Sequence, residues 1–374
     1  MAKRIVFVTG TRADFGKLKS LMLKVQNDLA FDLHVFVTGM HMLAKYGYTC
    51  EEVERAGFKN IHKYINQNAS DRMDHILAKT ISGLSDYVRE INPRLMIIHG
   101  DRVEALAGAA VGALNNLPVG HVEGGEVSGT VDESIRHAVS KLSHIHFVAN
   151  EAAKLRLIQL GEREESVYVI GSPDVDVASS AALPSLAEVK RHYNFQFGSY
   201  GILLFHPVVS EIAELRRQAR VVVDALIRSS LNYVVIYPNN DHGTEIILEE
   251  YDRFKGKSNF KIYPSIRFEY FLTLMKEAVF MVGNSSAGVR EAPHFGLPSI
   301  NLGTRQQNRA DCATIINTGF DTAAILDAID AARTMPRSTF SMFGNGRSAD
   351  LFHRVLASEV FWRHPIQKSF VDLR

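Results

Sequence analysis

Four acids follow short apolar runs at places where the chain turns polar: Asp101, Glu123, Glu126 and Asp132. Carboxylates brought close together push each other's pKa values apart, so one can act as a base while another acts as an acid. That is equipment for taking a proton from carbon and for activating water. His206, in the second half of the chain, offers a further acid or base. The same side chains could instead hold a divalent cation. No His-Glu-x-x-His spacing supports that, and no metal is expected. His144 and His146 alternate on one strand face and read as structural.

Two other stretches suit anions. Gly10-Thr11-Arg12-Ala13-Asp14-Phe15-Gly16-Lys17 is a glycine turn carrying Arg12 and Lys17 at a helix start, a grip for one or two phosphates. It is not a Walker A loop, which needs four residues between its glycines and a Ser or Thr after the Lys; here Leu18 follows Lys17. It is not a dinucleotide fingerprint either. Gly-x-Gly-x-x-Gly is absent, and Val37-Thr38-Gly39 offers no acid for a ribose. The second stretch, Ser285-Ser286-Ala287-Gly288, follows a buried run and is expected to open a helix whose N–H groups and macrodipole face a diphosphate. Glu291, one turn into that helix, would accept from ribose hydroxyls.

Strands and helices alternate to position these groups. Apolar runs at 5–8, 33–37, 95–98, 119–122, 145–148 and 167–170 read as strands buried on both faces, as parallel sheets require. Leu18, Leu21, Met22 and Val25 keep helical spacing, as do segments 76–88 and 104–114, and Asn150 caps another helix. A second alternation begins near Tyr200, with strands at 202–205, 233–237, 280–282 and 299–302 and a helix over 212–231. This is a doubly wound α/β pattern present twice. The expected division is an N-terminal Rossmann-like domain over 1–172 and a C-terminal one over 173–357. A C-terminal helix over about 358–374 is expected to pack back on the first. Ligands bind outside the carboxyl ends of such strands, where Arg102, His206, Asn239 and Arg305 also lie.

Composition narrows the partners. Lys and Arg total 42 against 41 Asp and Glu, a net charge of +1, which gives no footprint for nucleic acid or an anionic membrane. Hydrophobic residues make up 46% of the 374, an ordinary globular fraction. Two cysteines far apart, Cys50 and Cys312, exclude a disulfide framework. No signal peptide or membrane span is legible, so a cytoplasmic location is expected.

Taken together, the chain resembles the hydrolysing UDP-N-acetylglucosamine 2-epimerases of bacterial sialic-acid biosynthesis. The resemblance is carried by Thr9-Gly10-Thr11-Arg12-Ala13-Asp14-Phe15-Gly16-Lys17-Leu18, His99-Gly100-Asp101-Arg102, the block from His121-Val122-Glu123-Gly124-Gly125-Glu126 to Asp132-Glu133-Ser134-Ile135-Arg136-His137, Gly171-Ser172-Pro173, Tyr237-Pro238-Asn239-Asn240, Gly283-Asn284-Ser285-Ser286-Ala287-Gly288-Val289-Arg290-Glu291-Ala292 and Leu302-Gly303-Thr304-Arg305-Gln306. It spans nearly the whole chain. It implies two Rossmann-like domains facing across a cleft, as in glycosyltransferase-B enzymes. It implies UDP held mainly by Asn239, Ser285, Ser286, Glu291 and Arg305, with Arg12, Lys17 and Arg102 approaching from the first domain and His41 near the sugar. It implies Asp101, Glu123 and Asp132 as catalytic carboxylates, with Arg136 and His206 essential beside them. It implies a homodimer that needs no cofactor, and no kinase domain of the kind the animal enzymes carry.

The reaction so implied is UDP-N-acetylglucosamine plus water giving N-acetylmannosamine plus UDP, by anti elimination through 2-acetamidoglucal and readdition of water. Two alternatives share the UDP grip. A glycosyltransferase would need an acceptor and fewer acids; a nucleotide-sugar sensor would need none of the acids. A third keeps the chemistry but takes UDP-N,N′-diacetylbacillosamine.

Overall fold

A computed structural model describes residues 2–68, 71–128 and 130–372. Gly129, inside the long acidic block, and residues 373–374 lie outside the described residues. By its contacts the chain divides into two units. The first comprises Met1–Glu126, Asp132–Ser179 and Met342–Arg374, the second Val127–Val131 and Ser180–Ser341. Among the described residues no helix is long and apolar enough to cross a membrane.

The first unit runs β1 (Lys3–Thr9), α1 (Arg12–Gln26), β2 (Phe31–Val37), α2 (Cys50–Arg55), β3 (Asn60–Lys63), α3 (Met73–Ile91), β4 (Leu95–His99), α4 (Val103–Leu114), β5 (Val119–Val122), α5 (Val131–Leu142), β6 (Ile145–Val148), α6 (Glu151–Gln159), β7 (Val167–Val169) and α7 (Pro173–Ala178). Its strands form one parallel sheet in the order β3-β2-β1-β4-β5-β6-β7. The order reverses between β1 and β4, which opens a crevice at their carboxyl ends.

Both faces of this sheet are covered, and the apolar runs follow from that. Along β1, Ile5 and Phe7 enter one core with Leu18, Leu21, Met22 and Val25 of α1. Val6 and Val8 point the other way, into a core with Leu84 and Val88 of α3 and Ala105 and Ala109 of α4. The four periodic α1 residues are completely buried.

The second unit repeats the scheme: α8 (Leu186–His192), β8 (Gly201–Leu204), α9 (Leu215–Ser229), β9 (Tyr233–Ile236), α10 (Thr244–Tyr251), β10 (Phe260–Tyr263), α11 (Phe268–Glu277), β11 (Phe280–Gly283), α12 (Glu291–His294), β12 (Ser299–Leu302), β13 (Ile315–Thr318) and α13 (Thr322–Thr334). Its parallel sheet has the order β10-β9-β8-β11-β12-β13, with the reversal between β8 and β11. The chain thus adopts two Rossmann-like α/β units.

The C-terminal segment differs from expectation. Its helix, α14, is Ser348–Ala357; residues 358–372 hold one 3₁₀ turn, Phe361–Arg363, and no α-helix. Pro365 cannot continue a helix and disfavours helical backbone at the residue before it. The side chains instead anchor the chain one by one. Phe352, Leu356 and Phe361 enter the core beside Phe7 and Phe147, and Lys368 Nζ donates to the carbonyls of Ser140 and Ser143 at the end of α5.

Candidate active site

The turn after β1 is built by its own side chains. Thr11 caps α1 by accepting from the Asp14 N–H, and the Asp14 carboxylate accepts from Gly10 N at 2.9 Å and Thr11 N at 3.1 Å. Thr9 Oγ1 also donates to Asp14. His41 is completely buried behind this turn, Nε2 lying 3.1 Å from Thr9 Oγ1 and Nδ1 2.7 Å from Thr49 Oγ1. Because the Thr9 hydroxyl gives its proton to Asp14, it accepts from His41 Nε2, and Nδ1 accepts from Thr49. Burial holds the ring neutral, its pKa pushed down to about 4, with the nearby Asp14 charge opposing the shift.

The two cations of that turn are ion-paired. Arg12 Nη2 donates to Glu52 Oε1 of α2 over 2.5 Å. Lys17, only 7% exposed, places Nζ 3.4 Å from Glu123 Oε2 and 3.5 Å from Asp174 Oδ2. Glu123 follows β5 with φ +71°, a left-handed conformation that a residue with a side chain seldom adopts, at a cost of about 1–3 kcal/mol. Its N–H donates to Phe147 O, and its Oε2 lies 2.9 Å from His99 Nε2. The fold therefore sets one carboxylate, in a strained backbone, against a lysine and a histidine.

Asp101 follows the neighbouring strand, β4, whose register with β5 pairs His99 with Val122. Its carboxylate accepts from Arg136 Nη2. Arg136, on α5, is wholly shut off from solvent, and its Nη1 donates to Glu126 O over 3.4 Å. Asp132 stands four residues earlier in the first turn of α5, on the same helix face. Arg102 Nε lies 3.4 Å from Glu104 Oε2.

In the second unit the strand ends are knitted together by Asn284. Its side-chain oxygen accepts from His206 N at 2.7 Å, and its amide nitrogen donates to His206 O at 2.8 Å. Its backbone carbonyl accepts from Arg305 Nη1 and Gln306 Nε2, each at 3.2 Å. The Asn239 N–H donates to His206 Nδ1 at 3.0 Å. Gly283 makes this possible: at φ +141° a Cβ there would stand 2.0 Å from Leu204 O. His206, Asn239 and Arg305 are thus gathered at the ends of β8, β9 and β12.

The helix expected from Ser285 onward is not continuous. Ser285 Oγ accepts from Ala287 N and caps a 3₁₀ turn, Ser286–Gly288; α12 then spans only Glu291–His294, with Glu291 its first residue and not one turn in. Pro293 contributes no N–H, and Gly296 at φ +61° ends the segment. So short a helix has little macrodipole, and any anion here would be held by individual N–H groups.

The structure also engages side chains to which the sequence assigns no role: Glu52, His99, Glu104, Asp174 and Asn284. His99 and Asn284 stood inside runs already singled out. Glu104 is the one acid of the apolar helix Glu104–Leu114, and that isolation was a legible signal. His146, completely buried, meets Glu162 through Nε2 at 3.0 Å, while His144 precedes β6 and its Nδ1 accepts from Val119 N. Among the described residues no three His, Cys, Asp or Glu side chains are grouped to hold a metal ion.

Comparison with known proteins gives a consistent result. A family profile described as UDP-N-acetylglucosamine 2-epimerase matches residues 23–357. The chain is 49% identical to a UDP-N-acetylglucosamine 2-epimerase of Neisseria meningitidis serogroup B, over 99% of both chains. It is 33% identical to a hydrolysing UDP-N,N′-diacetylbacillosamine 2-epimerase of Legionella pneumophila, over 95% of this chain and 96% of that one. Among solved structures, its fold is similar to a Neisseria meningitidis UDP-GlcNAc 2-epimerase bound to UDP-GlcNAc: TM-score 0.78 at 19% identity, over 94% of this chain and 99% of that one.

Proposed function

The chain belongs to the UDP-N-acetylglucosamine 2-epimerase family, and from that premise we propose that it is the hydrolysing enzyme, converting UDP-N-acetylglucosamine and water into N-acetylmannosamine and UDP. The observation that carries this reading is the pair of carboxylates at the ends of adjacent strands, Asp101 beside Arg136 and Glu123 beside Lys17 and His99. An ion-paired carboxylate is ionised and can accept a proton. A sensor or a simple transferase has no use for two of them.

The reaction is read in two steps. A base removes the C2 proton; those electrons form the C1–C2 double bond as the C1–O bond breaks and UDP leaves, giving 2-acetamidoglucal. Water then adds its oxygen to C1, and an acid delivers a proton to C2 from the opposite face. Asp101 and Glu123 handle the C2 proton and the water. Asp132 orients or shares protons with Arg136 or His206. Such groups contribute about 10²–10⁴-fold each, so much of the barrier must fall through stabilising the departing diphosphate. That task is assigned to Arg12, Lys17, Arg102, Ser285, Ser286 and Arg305, with Asn239 and Glu291 holding the nucleoside. His41 supports the Thr9–Asp14 turn close to the sugar.

Supporting the hydrolysing course is the Legionella relative, named as hydrolysing. Supporting a place in sialic-acid biosynthesis is a 30% identical Escherichia coli relative named polysialic acid biosynthesis protein P7. Supporting UDP-N-acetylglucosamine over the diacetylated sugar is the higher identity to the Neisseria enzyme. A homodimer is the proposed working form. The test is to incubate the purified protein with UDP-N-acetylglucosamine and separate the products. Equal amounts of UDP and free N-acetylmannosamine are expected. UDP-N-acetylmannosamine in place of the free sugar would overturn the hydrolysing course, and turnover of only the diacetylbacillosamine nucleotide would overturn the substrate.

A further inference from the structure

Glu104 stands where a carboxylate is poorly accommodated. It is the second residue of α4 and 3% exposed, beside the reversal of strand order between β1 and β4. Two backbone turns close on it: a Cβ on Gly10 would lie 3.0 Å from its Cδ, and one on Gly39, at φ +64°, 2.7 Å from its Oε1. Both carboxylate oxygens are shut off from solvent and accept no hydrogen bond among the described residues. The cation beside it is Arg102, with Nε 3.4 Å from Oε2 and a side chain 21% exposed. A buried carboxylate without hydrogen-bond donors destabilises a fold, and a neutral side chain of the same shape relieves that. Its presence at this position therefore asks for a reason other than stability.

We propose that Glu104 is a positioning residue for Arg102. The Gly10 and Gly39 backbones fix the carboxylate, and its charge fixes the root of the Arg102 guanidinium at the β4 end, next to Asp101. Arg102 then meets the anionic part of the nucleotide sugar in one orientation, without reorganising as charge builds on the leaving group. This rests on the nucleotide-sugar reading above and names the residue behind one of its cations.

The test is a double-mutant cycle on the full chain: wild type, Glu104→Gln, Arg102→Ala and the double variant, each measured for kcat/KM on UDP-N-acetylglucosamine and for Tm. Glu104→Gln is expected to lower kcat/KM about tenfold while Tm holds or rises, and to cost less than about twofold more once Arg102 is Ala. Glu104→Asp, which keeps the charge, is expected to retain more activity than Glu104→Gln. Wild-type activity in Glu104→Gln, independent losses that multiply in the double variant, a fall in Tm that accompanies the loss, or equal losses in the Asp and Gln variants would each overturn the proposal. A wild type that turns over while Glu104→Gln matches it defeats this proposal alone. A wild type without turnover on any UDP-sugar defeats it together with the reading it rests on.

Discussion

The backbone N–H of Asn239 donates to Nδ1 of His206 over 3.0 Å. A ring nitrogen that accepts a hydrogen bond carries no proton, so the neutral imidazole bears its proton on Nε2. His206 is therefore prepared to donate and not to abstract. Within the proposed reaction its partner is an oxygen gaining negative charge. His206→Gln places an amide N–H near the Nε2 position, whereas His206→Asn cannot reach it. A hydrogen bond to a charged group contributes about 1.5–3 kcal/mol. The kcat of the Gln variant should accordingly be about tenfold or more above that of the Asn variant. Equal kcat values for the two would assign His206 another role.

Arg136 is completely buried with its guanidinium on Asp101 and on the Glu126 carbonyl. Arg136→Met keeps the length and removes the charge, so Asp101 loses the partner that orients it. A loss of about 10²–10⁴-fold in kcat is expected. UDP affinity by calorimetry should stay within about twofold, because Arg136 is not among the residues assigned to UDP. A variant that instead loses UDP affinity with kcat intact would place Arg136 in the nucleotide grip.

The buried imidazoles make stability depend on pH. Burial lowers the folded-state pKa of His41 to about 4 and that of His121 to about 3, against 6.5 unperturbed. Between those values the unfolded chain takes up protons that the folded chain refuses. Stability is thus fully present above about pH 6.5 and is lost as pH falls toward the folded-state values. Each ring removes about 2 kcal/mol between pH 6.5 and 5, since one pKa unit corresponds to about 1.4 kcal/mol. Urea unfolding midpoints at pH 7 and pH 5 should show a clear fall in the wild type and a shallower one in His41→Gln. A midpoint that rises on acidification would contradict the assignment.

Much of the fold is legible because its central strands are buried on both faces and read as apolar runs. Val119–Val122 and Ile145–Val148 begin and end where the sequence places them. The three strands that leave no such trace, Asn60–Lys63, Phe260–Tyr263 and Ile315–Thr318, are sheet edges with mixed, partly exposed side chains. They are strands because β2, β9 and β12 offer them backbone partners, and single-sequence pattern cannot see a partner. The candidate site divides in the same way. The strand-end rule finds the turns, but not that Lys17 faces Glu123, 106 residues away. Nor does it find that Asn284 binds both backbone groups of His206, or that Glu104 lies under Gly10 and Gly39. Those relations arise from packing between elements distant in sequence.

The central claim is that a proton leaves C2 as UDP departs and a different one returns from solvent. Proton NMR of the purified protein with UDP-N-acetylglucosamine in heavy water tests this directly. The account predicts UDP together with N-acetylmannosamine carrying deuterium at C2. N-Acetylmannosamine that keeps the original hydrogen at C2, or UDP released with free N-acetylglucosamine, would contradict elimination and readdition.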